Sequence, residues 1–330
     1  MAKKKKEKLE LEIWAEKYRP KKFEEIINQE HVISRVKAFV EEKNIPHLLF
    51  AGPAGTGKTT TALVIARSLY GEHWRQNVLE LNASDARGID VIRGRVKDFA
   101  RTKPIGDIPF KLIILDEADA LTNEAQQALR RTMEDFSDIT RFILICNYSS
   151  KIIDPIQSRC VVFRFKAMDE KHVRKFIERI VKNEKLKIDE KAIKAIVDIA
   201  EGDLRRTSNL LQAAAALTNK ITEEIIYEVA SLAKPSDVRE MLNLAIKGKF
   251  DKAREKLIDM VVKQGLAGED LIKQIYKEIY NLDLPDEAKI ELIEKTGEYE
   301  YRISEGGDPQ VQIAALLSQI SLAAKKFKKA

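Results

Sequence analysis

One glycine-rich segment constrains this chain more than any other feature. It reads Gly52-Pro53-Ala54-Gly55-Thr56-Gly57-Lys58-Thr59 and fits the pattern G-x-x-x-x-G-K-[ST] at every position. The apolar run 47–51 precedes it and the helical run 60–66 follows, which is the strand–loop–helix context that a phosphate-binding loop requires. Backbone N–H groups and the helix start favour phosphate oxygens, with Lys58 placed for the β- and γ-phosphates and Thr59 for Mg²⁺. The segment therefore predicts a site for a nucleoside triphosphate and Mg²⁺.

Composition excludes several classes of protein. The 330 residues are enough for two or three globular domains. No apolar run approaches the roughly 20 residues of a membrane-spanning helix, and no secretory signal follows Met1. We therefore expect a cytoplasmic protein without a membrane partner. Two cysteines and four histidines make a disulfide framework and a zinc site unexpected.

The net charge of +6 is concentrated at the ends of the chain. Residues 1–8 and 325–330 each carry +4, which leaves −2 for residues 9–324. A nucleic-acid-binding surface would thus be a local patch on a nearly neutral body. Residues 1–10 are interpreted as a flexible basic leader.

Apolar runs that alternate with helical patterns predict an α/β fold with a parallel sheet. The strand candidates are 47–51, 78–82, 111–115, 140–146 and 160–165. After Phe165 the strand signals stop, and the remainder reads as helical. We expect three domains: a sheet domain over 11–166, a small helical domain over 167–235 and an all-helical domain over 236–330.

Helix-capping and helix-breaking residues predict the bounds of the helices in the second half of the chain. Asp189 is expected to cap a helix over 190–200, and Asp203 another over 204–219. The segment Lys234–Asp237 is predicted to be a linker because its proline interrupts helical continuity. The last helix, about 309–327, has one apolar stripe, which either packs inside its own domain or contacts another subunit.

Polar residues follow two further strand candidates at their carboxyl ends, where doubly wound sheets bind ligands. Asp116 closes an aliphatic run, as a Mg²⁺-binding carboxylate does, and Glu117 suits the activation of a water molecule. Asn147, after the next strand, suits the orientation of that water. The alternative is that the two acids cap the next helix and Asn147 is a turn residue.

Three arginines stand in unusual places. Arg205 and Arg206 follow Asp203 in the first turn of a helix, where the helix dipole disfavours cations, so an anion nearby is expected. Arg159 ends a short helical turn opened by Asp154. The alternative for each is a solvated surface side chain.

Six sequence motifs together resemble the small subunits of replication factor C. They are Trp14–Pro20, Glu80–Arg93, Leu115–Asp119, Ala125–Arg131, Ser158–Cys160 and Gly202–Arg205. That family is the clamp loader of archaea and eukaryotes, an AAA+ ATPase. The similarity covers residues 11–235, and 236–330 matches in length and helical character. The Lys/Glu-rich composition suggests the archaeal type.

The resemblance implies roles for individual residues. Ala15, Arg19 and Ile27 would line the adenine pocket, and residues 52–59 with Thr60 would hold the phosphates. Asn147 and Arg205 would act as sensors within the subunit, and Arg159 as an arginine finger in the neighbouring subunit's site. The implied partners are further copies of the chain, a larger subunit in a heteropentamer, a sliding clamp and primer–template DNA, with the C-terminal domain joining the subunits in a collar.

DNA contacts are expected on a helix over 88–102. Arg93, Lys97 and Arg101 recur there every fourth residue, and we call these three residues the basic stripe. Such a stripe suits phosphate contacts that read no sequence, although a solvated helix face is the alternative. Arg87 and Lys151 are further candidates.

Other classes of DNA motor remain alternatives. A branch-migration motor or an initiator subunit should end in a winged helix, whose strands are not apparent after residue 236. A two-domain helicase needs a second sheet domain. A nucleotide-gated scaffold would lack one of Lys58, Glu117 or Arg159, and all three are present.

Overall fold

The computed structural model describes residues 13–85 and 88–328. The predicted leader, residues 1–10, and the candidate DNA contact Arg87 lie outside these ranges. The chain forms two compact units, one from residues up to 187 with 196–216, and one from 188–195 with 217 onward. Across the described ranges, none of the helices has the length and apolar character needed to cross a membrane.

The first unit is built on a five-stranded sheet. Its strands are β1 (His47–Ala51), β2 (Val78–Asn82), β3 (Lys111–Asp116), β4 (Thr140–Cys146) and β5 (Cys160–Arg164). They lie in the order β2-β3-β4-β1-β5 with every neighbouring pair parallel, so their carboxyl ends share one edge. The predicted strands and the parallel sheet are confirmed; β3 is one residue longer and β5 one residue shorter than predicted.

The helices account for most of the remaining described chain. In chain order they are α1 (Trp14–Lys17), α2 (Glu30–Glu41), α3 (Lys58–Tyr70), α4 (Trp74–Asn77), α5 (Ile89–Val91), α6 (Lys97–Ala100), α7 (Asn123–Asp135), α8 (Asp154–Gln157), α9 (Glu170–Glu184), α10 (Glu190–Ala200), α11 (Leu204–Leu217), α12 (Glu223–Ala230), α13 (Pro235–Ile246), α14 (Phe250–Ile258), α15 (Gly268–Ile279), α16 (Asp286–Ser304) and α17 (Pro309–Lys328).

Alternating side chains of the sheet build two cores in the first unit. In β1, Leu48 and Phe50 pack in the cluster that contains α2 and α3, whereas Leu49 and Ala51 pack with α7. All four are buried. Because both faces are covered, the strands are nearly continuous apolar runs, which is why the sequence shows them clearly.

Two features of the fold differ from the sequence-based expectation. The chain is not wholly helical after Phe165, because β6 (Lys187–Ile188) and β7 (Lys220–Ile221) form a second sheet of two strands. The helix expected over 88–102 is interrupted by a π-helical segment, Ile92–Val96, between α5 and α6. Strands of two residues are too short to leave a period in the sequence, and the π segment keeps a helical pattern of apolar residues.

Helices α13 to α17 of the second unit share one core. The apolar stripe of α17, namely Ile313, Leu316, Leu317, Ile320 and Ala324, is wholly buried in that core. Packing within its own domain is thereby confirmed, and contact of this stripe with another subunit is wrong.

The predicted linker is partly helical. Lys234 precedes α13, and Pro235 is the first residue of that helix. A proline is favourable there because the N–H of a first helical residue has no partner within the helix. The proline that suggested a linker therefore marks the start of a helix. The domain boundaries after residues 166 and 235 stay predictions.

His47, at the start of β1, makes the stability of the first unit depend on pH. Its Nδ1 accepts the N–H of Phe142 at 3.2 Å, and burial, with Arg141 nearby, lowers its pKa to about 4. As the pH falls, the histidine of the unfolded chain becomes protonated near pH 6.5, whereas in the folded chain protonation requires a lower pH. The contribution of His47 to the free energy of unfolding is therefore complete above pH 6.5 and is lost as the pH falls toward 4. Between pH 7 and pH 5 the loss is about 2 kcal/mol.

Urea unfolding at several pH values tests this expectation, since both tryptophans, Trp14 and Trp74, report on the first unit. His47→Asn keeps an acceptor close to the position of Nδ1 and should lose about 2 kcal/mol less than the parent protein over the same range. His73→Gln changes an exposed histidine and should leave the pH dependence unaltered. Parallel curves for the parent protein and His47→Asn would contradict the assignment.

Candidate nucleotide site

The glycine-rich loop joins β1 to α3 and approaches other segments of the chain closely. Gly52 has φ of +149°, and a Cβ there would lie 2.3 Å from the carbonyl oxygen of Phe165. At Gly55, with φ of +66°, a Cβ would lie 1.8 Å from Asp203 Oδ1. Only glycine fits these two positions, because a side chain would displace the adjacent segments. The loop conformation is therefore set by its neighbours as well as by the turn itself.

Lys58 is the first residue of α3 and is buried beneath the loop. Its Nζ donates to the carbonyl oxygens of Gly52 and Pro53, both at 2.6 Å, and to Asn147 Oδ1 at 3.2 Å. Burial lowers the pKa of Lys58, and the Asp116 carboxylate partly offsets that effect. A buried cation at the amino end of a helix makes the loop a strong anion site.

Two oxygen ligands meet at the carboxyl end of β3. Thr59 Oγ1 donates to Asp116 Oδ2 at 2.6 Å, and the other carboxylate oxygen of Asp116 accepts the N–H of Glu117 at 2.9 Å. A hydroxyl and a carboxylate in contact suit Mg²⁺, which prefers oxygen ligands and is commonly held through one or two carboxylates together with phosphate. The donors present therefore fit the ion that the sequence predicted.

Glu117 and Asn147 occupy the same edge of the sheet and are exposed. Glu117 has φ of +52°, a conformation that non-glycine residues seldom adopt outside turns and functional sites. Asp119 Oδ2 accepts the N–H groups of Asn147 and Tyr148, each at 3.2 Å, and so fixes the loop that follows β4. This positioning contact was missed from the sequence, where Asp119 is only the last letter of an acidic motif.

The start of α11 docks on the loop. Leu204 N–H donates to Gly55 O at 3.2 Å, and Asp203 Oδ1 accepts the N–H groups of Arg205 and Arg206 at 2.7 and 3.0 Å. Asp203 caps the helix as predicted, through the backbone N–H groups of these two arginines, and the anion expected near their guanidinium groups stays a prediction. Arg205 faces the nucleotide cavity, and Arg206 is not among the residues that line it.

A cavity of about 270 Å³ brings most of the predicted site residues together. Those that line it are Ala15, Arg19, Ile27, Ala54, Gly55, Thr56, Gly57, Lys58, Thr59, Thr60, Asp116, Glu117, Asn147 and Arg205. Gly52 and Pro53 form the base of the loop outside the lining. The sequence missed several lining residues, chiefly Tyr18, Asn82, Met168, Phe176, Arg179, Leu204 and Ser208. Tyr18, Asn82 and Leu204 lie within the motifs Trp14–Pro20, Glu80–Arg93 and Gly202–Arg205, whereas the others carry no local signal.

Arg159 does not line this cavity. Its guanidinium forms an ion pair with Glu134 of α7, and its Nη1 donates to Pro155 O at 2.7 Å. Glu134 also contacts Arg130, at 3.6 Å. A role in the subunit's own pocket is thus not supported by its position.

The basic stripe is solvent-exposed, whereas Ile92 and Val96 on the same segment are buried. Arg101 is 3.3 Å from Asp98, so part of its charge is offset. Lys151 is also exposed, with its Nζ 5.3 Å from the ring centroid of Tyr148. Contact of these residues with DNA stays a prediction.

Comparison with known proteins decides the family. Residues 48–168 match the ATPase family associated with various cellular activities (AAA), and residues 233–319 match the replication factor C C-terminal domain. The replication factor C small subunit of Sulfolobus acidocaldarius is 54% identical over 317 residues, which is 96% of this chain and 97% of the relative. This chain belongs to the replication factor C small-subunit family.

Two further relatives carry the same family name. The replication factor C small subunit of Thermofilum pendens is 53% identical over 96% of this chain and 99% of its own length. That of Methanococcus maripaludis is 52% identical over 94% of this chain and 98% of its own. The resemblance inferred from the sequence motifs is confirmed, as is the AAA class of the ATPase domain.

Solved structures confirm the fold. The Thermotoga maritima RuvB Holliday junction branch migration motor matches with a TM-score of 0.52, covering 78% of this chain and 91% of the RuvB chain. The two sequences are 21% identical, so the likeness concerns the fold alone.

Proposed function

We propose that this chain is the ATP-hydrolysing small subunit of a clamp loader. In this proposal it assembles with other copies of itself and a larger subunit into a heteropentamer, opens a ring-shaped sliding clamp of the PCNA type, and loads it onto primer–template DNA in the cytoplasm, at the nucleoid. Family membership supports the assignment, and the observation that carries it is the convergence of Lys58, Thr59, Asp116 and Asn147 on one cavity.

The residues of the cavity divide the work of binding and hydrolysis. Lys58 and the loop N–H groups would hold the β- and γ-phosphates, and Ala15, Arg19 and Ile27 would contact the base. Glu117 would orient and deprotonate the attacking water, with Asn147 as its second hydrogen-bond partner. Phosphoryl transfer depends mainly on such positioning and on charge stabilisation.

Thr59 and Asp116 would hold Mg²⁺, which would neutralise charge on the phosphate oxygens when bound. The hydrogen bond between these two side chains fixes both oxygens beside the loop. Lys58 and Arg205 add two cations around the same space, so the cavity suits a highly charged anion. The concentration of positive charge favours a triphosphate as the bound anion.

Arg159 would complete the pocket of a neighbouring subunit. It lies outside the cavity lining of its own subunit, and its guanidinium rests on Glu134. Hydrolysis would then depend on assembly, because each isolated chain lacks one cation of the reaction. DNA that enters the centre of the assembly would contact the basic stripe and bring the neighbouring subunits into register.

Steady-state ATPase activity of the assembled protein, with and without primed DNA and clamp, tests this function. We expect primed DNA and clamp to accelerate turnover. A triple alanine variant of the basic stripe should need at least about tenfold more DNA for half-maximal stimulation. The slope of log affinity against log salt should fall by about 0.9 for each phosphate that the variant no longer neutralises.

A matched control replaces three exposed lysines, Lys182, Lys191 and Lys194, by alanine. It removes as many positive charges as the stripe variant does, but from helices outside the stripe. Its response to DNA should match that of the parent protein. If neither primed DNA nor clamp changes turnover, the clamp-loader assignment fails. If DNA stimulates the stripe variant normally, only the DNA surface is misplaced.

A further inference from the structure

The segment Trp14–Pro20, which we call the base strap, forms one wall of the nucleotide cavity. Ala15, Tyr18, Arg19 and Pro20 of the strap line the cavity. Its only helix, α1, has four residues, and a helix of that length has no stability of its own. The position of this wall therefore depends on tertiary contacts.

Helices α9 and α11 supply those contacts. Trp14 N–H donates to Gln212 Oε1 of α11 at 2.9 Å. At α9, Lys17 Nζ lies 2.8 Å from Glu184 Oε1, and the Tyr18 hydroxyl donates to the same oxygen. Tyr18 is only 5% exposed, so its hydroxyl requires a partner inside the protein.

Glu184 is poorly placed for its own helix. It is the last residue of α9, where the helix dipole disfavours an anion. Its carboxylate is stabilised there by Lys17 and Tyr18, both from the strap. The role of Glu184 is therefore to bind the strap, since a carboxylate at this position does not stabilise α9.

The helices that hold the strap also contribute residues to the cavity lining. Phe176 and Arg179 of α9 and Leu204 and Ser208 of α11 line the same cavity as the strap. We propose that Glu184 is a positioning residue that holds the base strap against α9 and thereby sets the base-binding part of the nucleotide cavity. This inference rests on the proposed nucleotide site.

The contacts of Glu184 run to Lys17 and Tyr18 of the strap, whereas the phosphate loop is contacted by Leu204 at Gly55, so we expect the effect to be selective. Glu184→Ala should weaken ATP binding by about tenfold, the effect of losing charge-assisted hydrogen bonds that fix one wall. The binding of inorganic tripolyphosphate, which has no base, should not change. At saturating ATP, kcat should stay within about twofold of the parent value, since Lys58, Asp116 and Glu117 keep their contacts.

Competition against a fluorescent ATP analogue on the full chain gives both affinities, with ATP and tripolyphosphate as competitors. Glu184→Gln keeps an uncharged acceptor for Tyr18 and should recover part of the loss. Lys17→Ala combined with Glu184→Ala should be little worse than Glu184→Ala alone, because both remove the same contact. Glu170→Ala breaks the ion pair with Arg174 at 2.7 Å on the same helix and should behave as the parent protein.

Each outcome decides the inference. Unchanged ATP affinity in Glu184→Ala overturns it. Equal losses for ATP and tripolyphosphate also overturn it, because the residue would then support the site as a whole. If the parent protein itself binds no ATP, the proposed function fails and this inference with it, whereas normal binding by the parent confines any failure to Glu184.

Discussion

Replacement of Arg159 by alanine is expected to lower ATP turnover by the assembled protein by about 10³-fold or more, because an arginine supplied across an interface stabilises the charge of the transferring phosphoryl group. The affinity for ATP should stay the same. Arg159 does not line its own subunit's cavity, and its guanidinium is held by Glu134 and Pro155. Its alanine variant should therefore bind ATP normally and fail only in hydrolysis.

Single-turnover hydrolysis and equilibrium ATP binding, measured on the same preparation, separate the two effects. Arg174→Ala removes another arginine that pairs with a glutamate, 2.7 Å away on α9, and should keep full activity. Loss of ATP binding in Arg159→Ala would place the residue in its own subunit's pocket. Unchanged turnover would show that the arginine takes no part in the reaction.

The first unit could be predicted well because its information is local. Buried parallel strands are nearly continuous apolar runs, and residues such as Asp116 and Asn147 lie directly at their carboxyl ends in the sequence. The carboxyl ends of parallel strands share one edge, so the motifs at those ends had to converge. The strand order could not be deduced, since it depends on which buried faces fit together.

The parts that were missed depend on contacts between distant residues. Glu184 lies 166 positions from Tyr18 in the sequence, and Gln212 lies 198 positions from Trp14. Neither pair leaves a local pattern. Asp119 was visible within an acidic motif, but its hydrogen bonds to the loop after β4 follow from the adjacency of β3 and β4 in the sheet.

Glu117→Gln is expected to slow hydrolysis by about 10²–10⁴-fold, the usual contribution of a general base. ATP affinity should not fall, because the phosphates are held by Lys58 and the loop. Glu117 is exposed at the end of β3 with φ of +52°, a conformation fixed by the hydrogen bond of its N–H to Asp116. Glutamine has the same size and should keep that backbone. Glu124→Gln, an exposed residue in the first turn of α7, should leave turnover unchanged.

Mixing the Glu117→Gln and Arg159→Ala proteins tests whether the pocket is shared. Each variant alone is defective, but an interface that joins the intact Glu117 of one chain to the intact Arg159 of the next contains every reacting group. In a head-to-tail assembly of a 1:1 mixture, about a quarter of interfaces have this composition. Turnover should therefore recover to a corresponding fraction of the parent rate. A mixture no more active than its separate components would mean that one chain supplies both Glu117 and Arg159 to its own pocket, and hydrolysis would then not require a neighbour's arginine.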